Sequence, residues 1–220
     1  MSSFSTEAAR RTIRDSIVKW FNVYGRDFPW RSTNDPYHVL IAEMLLRRTT
    51  ATAVTRIYPD FMTRFERPEQ LARARTTTIA SMISILGLQN VRARHLQHTA
   101  RCIINEYNGL IPNALEKLVL LPGVGKYVAS AVLNFAYQNP VPLVDGNVIH
   151  LMSRVFGLTF SDPTDQCSWD FMGSFSLGTQ NKAFYWGVID IVAIICLRKT
   201  PRCKICPLRE VCIWSHKNND

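Results

Sequence analysis

Four closely spaced cysteines near the C-terminus could bind an inorganic group. Six, two and five residues separate them in turn: Cys196, Cys203, Cys206 and Cys212. Four thiolates without paired histidines suit either a [4Fe–4S] cluster or a structural zinc ion. Four-cysteine zinc sites usually contain two short Cys-x2-Cys pairs, whereas this chain has one. The uneven spacing therefore favours the cluster over zinc and over disulfides.

A turn with two glycines, Gly123 and Gly125, could receive an anion. It lies between a helix predicted for Ala114–Leu121, with Asn113 as its cap, and a helix predicted for Lys126–Tyr137. Glycine lets a backbone approach a ligand closely, and unpaired N–H groups at the start of a helix favour a phosphate. The pattern predicts a helix-hairpin-helix, although a plain corner without a ligand would look similar.

An aspartate, Asp145, follows Gly125 by twenty residues and precedes a helical pattern that begins at Val148. Either Asp145 or Asn147 could simply cap that helix. A carboxylate in this place could also stabilise a developing positive charge. The position alone leaves both interpretations open.

In this order, the three motifs resemble the helix-hairpin-helix DNA glycosylases that carry an iron–sulfur cluster. Segments 26–31, 35–37, 43–49 and 86–88 resemble the branch of that family specific for mismatched thymine, and the likeness covers about residues 10–214. The helical periodicity along the chain and the resemblance both indicate an all-α fold. The resemblance implies a six-helix barrel-like lobe at 29–139 that contains the hairpin. A second lobe, 1–28 with 140–220, would hold the cluster loop 196–212.

The resemblance implies three catalytic residues, Asp145, Tyr127 and Glu43. Asp145 would stabilise positive charge on the sugar and orient a water molecule. Tyr127 stands where the endonuclease III pattern has an attacking lysine, which implies a monofunctional enzyme that leaves an abasic site. Lys126 lies about 100° around the helix and does not substitute for that lysine. Glu43 would protonate or hydrogen-bond the departing base, unless it is an ordinary solvated charge.

The resemblance also implies DNA-binding residues, because a base must leave the duplex to react. Arg48 and Leu88 would act as wedges that fill the gap, with Arg48 also donating to the orphaned guanine. Arg47 would be structural or would contact a phosphate. The remaining residues of this set are Gly123, Gly125, Lys126 and Asn147. Basic residues expected to contact phosphates are Arg92, Arg94, Arg198, Lys199, Arg202, Lys204 and Arg209.

The composition is consistent with a DNA-binding protein. The chain has 220 residues, a net charge of +9 and a pI of about 9.5, which suit a polyanionic partner. The sequence has no run of eighteen apolar residues, so no membrane span is expected. The N-terminus lacks the apolar core of a signal peptide. Cys102 and Cys167 lie far apart in sequence and are expected to be buried or free thiols. A cytoplasmic protein, associated with the nucleoid in a prokaryote, is expected.

The leading hypothesis is a glycosylase that removes thymine or uracil paired with guanine, acting as a monomer on double-stranded DNA with a mismatched or deaminated base. An AP endonuclease would act next. An adenine glycosylase is the second hypothesis, favoured by Gly146 and Glu43 but not by Tyr127 or by the short sequence after Cys212. A third hypothesis is a bifunctional glycosylase/lyase that uses Lys126, and a fourth is a non-catalytic DNA-binding module.

Overall fold

All regular structure in the described part of the chain is helical. The structure, a computed structural model, describes residues 7–175 and 181–218. Within these ranges there is no β-strand, which confirms the all-α prediction. None of the helices in these ranges is long and apolar enough to cross a membrane. Residues 1–6, where no signal peptide was expected, and residues 176–180 and 219–220 of the expected second lobe lie outside the described residues.

The chain divides into two compact units. One is continuous and comprises residues 27–139; the other combines residues 1–26 with residues 140–220. The continuous unit contains α2 (Pro36–Leu46), α3 (Ala51–Arg64), α4 (Pro68–Arg73), α5 (Thr76–Met82), α6 (Gln89–Tyr107), α7 (Leu115–Leu118) and α8 (Lys126–Phe135), with short 3-10 turns at Pro29–Arg31 and Ser84–Leu86.

Helix α2 is the central helix of the continuous unit. It begins at a proline, and the Oδ1 of Asp35 accepts hydrogen bonds from the backbone N–H groups of Tyr37 and His38 at 2.8 and 3.1 Å. Such a cap satisfies N–H groups that have no partner within the helix. Every residue from Val39 to Leu45 is buried, and α2 packs against both α3 and α8. Glu43 lies within this buried run.

The helix before the glycine turn is shorter than predicted. It was expected to span Ala114–Leu121 with Asn113 as its cap, but α7 covers Leu115–Leu118 and follows Ala114, which has no side-chain cap bond. The predicted Asn113 cap is therefore wrong. The chain tightens into i-to-i−3 hydrogen bonds ahead of Pro122, because a residue that precedes proline disfavours the α conformation.

The discontinuous unit contains α1 (Glu7–Tyr24), α9 (Gly146–Phe156), α10 (Gln166–Gly173), α11 (Asn181–Ile194) and α12 (Ile213–Asn218). Helix α1 packs on α11. The approach is close at Gly187, where an added Cβ would lie 2.6 Å from the Ile17 Cγ2. The run Val188–Ile195 is rich in β-branched residues, yet nearly all of it belongs to α11, which ends at Ile194.

A buried ion pair joins the end of the α1 segment to α11. The carboxylate of Asp190 is fully buried and accepts hydrogen bonds at 2.8 Å from both the backbone N and the Nε of Arg26. Replacing Arg26 with methionine is expected to lower the free energy of unfolding by roughly 3 kcal/mol, because it leaves the buried carboxylate without its charge partner. Urea unfolding measures this. An unchanged urea midpoint would show that the pair contributes little.

Candidate active site and cysteine pocket

Asp145 is the N-cap of α9, and both of its carboxylate oxygens are bonded. The Oδ1 accepts from the backbone N–H groups of Asn147 and Val148 at 2.9 and 2.8 Å, and the Oδ2 accepts from the Nδ2 of Asn147 at 2.8 Å. Of the two possible caps, Asp145 is therefore the one that forms. Asn147 supports it, because its backbone and its amide both donate to the carboxylate.

The surroundings of Asp145 affect its pKa in opposite directions. Burial is the largest influence and raises the pKa of the carboxyl above its usual range. The hydrogen bonds from Val148 and Asn147 and the positive charge of Arg198 lower it, without reversing the direction. The Nη2 of Arg198 donates to the Gly146 carbonyl at 3.2 Å. The result is a half-buried carboxyl that is fixed in position and costly to ionise.

The glycine turn contains a left-handed backbone conformation, at Gly123, that glycine adopts more readily than other residues. Gly123 has φ +79°, and an added Cβ would lie 2.8 Å from the Cβ of His95. Gly125 is the N-cap residue of α8 and has open space where a Cβ would stand. The two glycines therefore meet different needs: Gly123 permits a left-handed turn against α6, and Gly125 leaves the start of α8 accessible.

Lys126 and Tyr127 are the first two residues of α8. The side chain of Lys126 is exposed and that of Tyr127 is half-buried, so the two positions differ in environment as well as in direction around the helix. This difference is in line with the distinction drawn between them from the sequence.

Glu43 is buried, with 6 % of its surface exposed. The interpretation of Glu43 as a solvated helix charge is therefore wrong. A buried carboxyl on a helix lined with apolar residues needs a specific partner or a specific task. Glu43 remains a candidate for contact with the base.

The two expected wedge residues share an unusual backbone conformation. Arg48 follows the end of α2 with φ +52°, and Leu88 precedes α6 with φ +51°. Both side chains are exposed, Leu88 to 62 %. Left-handed backbone is uncommon for residues other than glycine and is often found at functional sites. Two exposed residues in this conformation fit a role at a binding surface.

Arg47 contacts the glycine turn. Its Nη1 donates to the carbonyl of Gly123 at 2.8 Å. Of the two roles considered for Arg47, this bond supports the structural one, because the guanidinium supports the turn between α7 and α8.

Arg92 does not fit its expected role as a phosphate contact. It is 8 % exposed, and its guanidinium donates to backbone carbonyls at the end of α2. The prediction for Arg92 is therefore wrong, because a buried side chain with these partners cannot reach DNA phosphates. Arg94, by contrast, is exposed, as are Lys199, Arg202, Lys204 and Arg209.

The four C-terminal cysteines line one small pocket. Cys196 follows α11, and Cys203 begins a 3-10 turn (Cys203–Ile205) that Cys206 directly follows. Cys212 lies between a second 3-10 turn (Arg209–Val211) and α12. None of the cysteines is in a disulfide among the described residues. Burial raises the pKa of Cys196 and Cys212, and raises that of Cys206 to about 12. Such thiols need a nearby cationic centre to be thiolates at neutral pH.

The four cysteines form a donor set that could hold an inorganic group. A zinc ion would draw four sulfurs to about 2.3 Å from one point. Within residues 7–175 and 181–218, no three His, Cys, Asp or Glu side chains are placed to hold one metal ion. A [4Fe–4S] cluster is bound by four separate thiolates, one on each iron, and four cysteines with no histidine among the pocket residues offer that donor set.

Three residues of α9 and the loop after α11 were not recognised from the sequence as part of the site. The Nη1 of Arg154 donates to the Cys196 Sγ at 3.4 Å and to the Leu197 carbonyl at 2.9 Å. The Nε2 of His150 lies 2.9 Å from the Cys196 carbonyl oxygen. Arg198, expected only at a phosphate, lies beside the start of α9. The spacing of His150 and Arg154, four residues apart on one helix face, was the available signal.

Known proteins resemble this chain over most of its length. The profile for HhH-GPD superfamily base excision DNA repair proteins matches residues 41–172. A thymine-DNA glycosylase from Aeropyrum pernix is 40% identical over 214 residues, covering 94% of this chain and 95% of its own. An adenine DNA glycosylase from Mycobacterium tuberculosis is 34% identical over 218 residues, covering 96% and 70%. The solved structure of a thermostable thymine-DNA glycosylase has a TM-score of 0.90 at 35% identity, covering 94% and 97%.

Proposed function

Because the chain belongs to the HhH-GPD superfamily of base excision DNA repair proteins, we propose that it is a monofunctional DNA glycosylase that removes thymine or uracil paired with guanine. The relatives at 40% identity and in the solved structure are thymine-DNA glycosylases. The product would be an abasic site, which an AP endonuclease would process. The protein would act as a monomer.

The observation that carries this proposal is the Asp145 carboxylate at the start of α9. Cleavage of an N-glycosidic bond creates positive charge on the sugar, and a fixed carboxylate stabilises that charge without having to reorganise. Three hydrogen bonds fix the carboxylate. The raised pKa of Asp145 also suits a group that accepts a proton from the attacking water.

Glu43 and Tyr127 would act on the base. A buried Glu43 would hydrogen-bond or protonate a carbonyl of the departing pyrimidine. Tyr127 would lie against the base in place of an attacking amine. Without an amine at this position, water is the nucleophile and the DNA strand stays intact.

Double-stranded DNA with a mismatched or deaminated base is the proposed partner. A mismatched nucleotide leaves the stack at a lower free-energy cost than a paired one, which gives part of the selectivity. Arg48 and Leu88 would fill the gap as wedges. Gly123, Gly125, Lys126 and Asn147 would line the path of the backbone, and the exposed basic residues of the cysteine loop would contact phosphates.

A [4Fe–4S] cluster is the proposed cofactor, held by Cys196, Cys203, Cys206 and Cys212. When bound, it supplies a structural anchor for the loop and no electron to the hydrolysis. The Arg154 guanidinium orients Cys196 and holds the loop against α9 through the Leu197 carbonyl. The chain's own contribution is thus to fix a basic loop next to the helix that begins with Asp145.

The function is tested with labelled duplexes that contain T·G, U·G, A·G or T·A. We expect strand breaks in T·G and U·G that appear only after alkali, as for a monofunctional enzyme. Cleavage confined to A·G would assign the protein to the adenine-specific relatives instead. No base release from any duplex would support a DNA-binding module without catalysis.

Replacing Tyr127 with lysine is expected to add strand cleavage. The new amine would occupy the second position of α8 and could attack the sugar carbon as the bond to the base breaks. Opening of the sugar ring then gives a Schiff base, which precedes strand cleavage. The measurement is borohydride trapping of a protein–DNA adduct on a U·G duplex. We expect no adduct for the wild type and a clear adduct for Tyr127→Lys.

Tyr127→Phe is the matched control, because it keeps the ring and offers no amine. Trapping of the wild type, lost in Lys126→Met, would show that Lys126 is a nucleophile and that the monofunctional assignment is incorrect.

A further inference from the structure

Arg92 lies between the two loops that carry the proposed wedge residues. It belongs to the first turn of α6, where its backbone N–H bonds to the carbonyl of Leu88 at 3.0 Å. Its guanidinium reaches the end of α2: Nη1 donates to the Met44 carbonyl at 2.8 Å and Nη2 donates to the Arg47 carbonyl at 2.8 Å. Arg92 therefore contacts Leu88 directly, and it also contacts Arg47, the residue immediately before Arg48.

The carbonyls that Arg92 bonds have no helical partner of their own. The last four C=O groups of an α-helix are left unpaired, and a cation near this end is favoured. Arg92 satisfies carbonyls of Met44, Leu45 and Arg47 together, with Leu45 at 3.3 Å. The rigid guanidinium fork suits this task, whereas an ammonium group has no fixed fork.

The hydrogen bonds continue from Arg92 to the glycine turn. Arg47 accepts from Arg92 through its carbonyl and donates through its Nη1 to the carbonyl of Gly123. On α6, the hydroxyl of Thr99 bonds the Pro122 carbonyl in the same turn. The loop at 47–48, the turn at 87–88 and the glycine turn are thus connected by hydrogen bonds within residues 27–139, of which the bonds from Arg92 and Thr99 are buried or half-buried and the bond from Arg47 to Gly123 is exposed.

We propose that Arg92 is a positioning residue that holds the loop at Arg48 and the turn at Leu88 in a fixed spacing, so that the two wedges enter the duplex together. This inference rests on the proposed function, since it takes Arg48 and Leu88 to fill the space of the flipped base. Arg92 touches no substrate. Its effect is on nucleotide flipping, which depends on the wedges, and much less on initial binding, which depends on phosphate contacts.

The test uses Arg92→Met, which replaces the stem of the arginine with an unbranched apolar side chain and is a good helix former, but removes the hydrogen-bond donors. Gln97→Met is the matched control. Gln97 lies on the same helix, is 6 % exposed and donates to the Ala74 carbonyl at 2.6 Å, away from both wedges. Each change removes a buried hydrogen-bond donor from α6. Arg92→Lys is a second variant that keeps the charge if Arg92→Met fails to fold.

Flipping is measured separately from chemistry. In an Asp145→Asn background, a T·G duplex with 2-aminopurine beside the thymine reports flipping by its fluorescence, and anisotropy gives the affinity. Base release is measured in single turnovers with Asp145 present. We expect Arg92→Met to lose most of the fluorescence change and roughly 10²-fold of the release rate, since small misplacements have effects of this size. Its affinity should stay close to that of the parent.

The outcomes separate the inference from the proposed function. An unchanged fluorescence amplitude in Arg92→Met, or an equal loss in Gln97→Met, would overturn the positioning role. If Arg92→Met does not fold, the same two criteria apply to Arg92→Lys. If the parent flips no base and the wild type releases neither thymine nor uracil, the proposed function fails first and the inference with it.

Discussion

Replacing Asp145 with asparagine is expected to reduce the rate of base release by roughly 10³-fold, because a fixed charge next to the developing positive charge is removed. The fold should remain, since asparagine is as good an N-cap as aspartate. Its Oδ1 can still accept from the backbone of Asn147 and Val148, and the Asn147 amide can rotate to present its oxygen. Single-turnover kinetics on a U·G duplex measure the loss.

The difference in stability between Asp145→Asn and the wild type should depend on pH in a defined direction. Burial raises the pKa of Asp145 in the folded state, so the folded protein binds this proton more tightly than the unfolded chain does. Ionised Asp145 therefore destabilises the fold at pH values above its folded pKa. Asp145→Asn should melt at the same or a higher temperature than the wild type at neutral pH, and the gain should vanish at acidic pH.

Asp165→Asn is the matched control for both effects. Asp165 is the N-cap of α10, and hydrogen bonds from Ser161 and Cys167 lower its pKa. Its ionised form therefore stabilises the fold above the unfolded pKa, and this contribution is lost as the pH falls. Asp165→Asn should lower the melting temperature at neutral pH and leave base release unchanged. Full activity in Asp145→Asn would contradict the catalytic assignment.

The pH dependence of the wild type follows from the same carboxyl. If base release needs ionised Asp145, the rate of single-turnover release should fall as the pH drops through the raised pKa. This decline should begin at a higher pH than for an ordinary aspartate.

Replacing Cys206 with alanine is expected to abolish cluster binding and to destabilise the discontinuous unit strongly. The loop from Cys196 to Cys212 has two 3-10 turns and little other regular structure, and its internal backbone hydrogen bonds join residues three apart, so they do not hold the distant parts of the loop together without the cluster. Because metal binding couples to folding, the loss should reach at least about 5 kcal/mol. For a chain of this size, that corresponds to a fall in Tm of roughly 10–20 °C.

Iron content, visible absorption and Tm are the measurements for Cys206→Ala. Cys167→Ala is the control, because Cys167 is an exposed free thiol outside the pocket. It should keep its iron and its melting temperature. Full iron content in Cys206→Ala would show that Cys206 is not a ligand, and bound zinc in place of iron in the wild type would exclude the cluster.

The parts of the fold that depend on local pattern could be predicted from the sequence. Apolar periodicity indicated the all-α fold, and it identified the helices that begin at Lys126 and after Asp145, which are α8 and α9. The cap at Asp145 was also foreseeable, because aspartate before a helical run is a common N-cap. The helix before the glycine turn was overestimated, because the tightening before Pro122 outweighed the capping pattern at Asn113.

Interactions between distant residues could not be predicted in the same way. Arg92 follows the Leu88 turn and looks like another surface cation, yet its partners are carbonyls more than forty residues earlier. The exposed or buried state of a single charged residue depends on the packing of other helices. The same holds for Glu43, whose burial follows from α2 being covered by α3 and α8.

The division of the chain has a consequence for its biosynthesis. Residues 27–139 form one unit from a continuous stretch, whereas α1 packs on α11, more than 150 residues later. During translation, the continuous unit can therefore fold while Ile13 and Ile17 of α1 still lack their partner helix. The cysteines emerge after α11. A group held by Cys196, Cys203, Cys206 and Cys212 would thus be acquired late, and the apolar face of α1 stays without its partner helix until synthesis has passed residue 194.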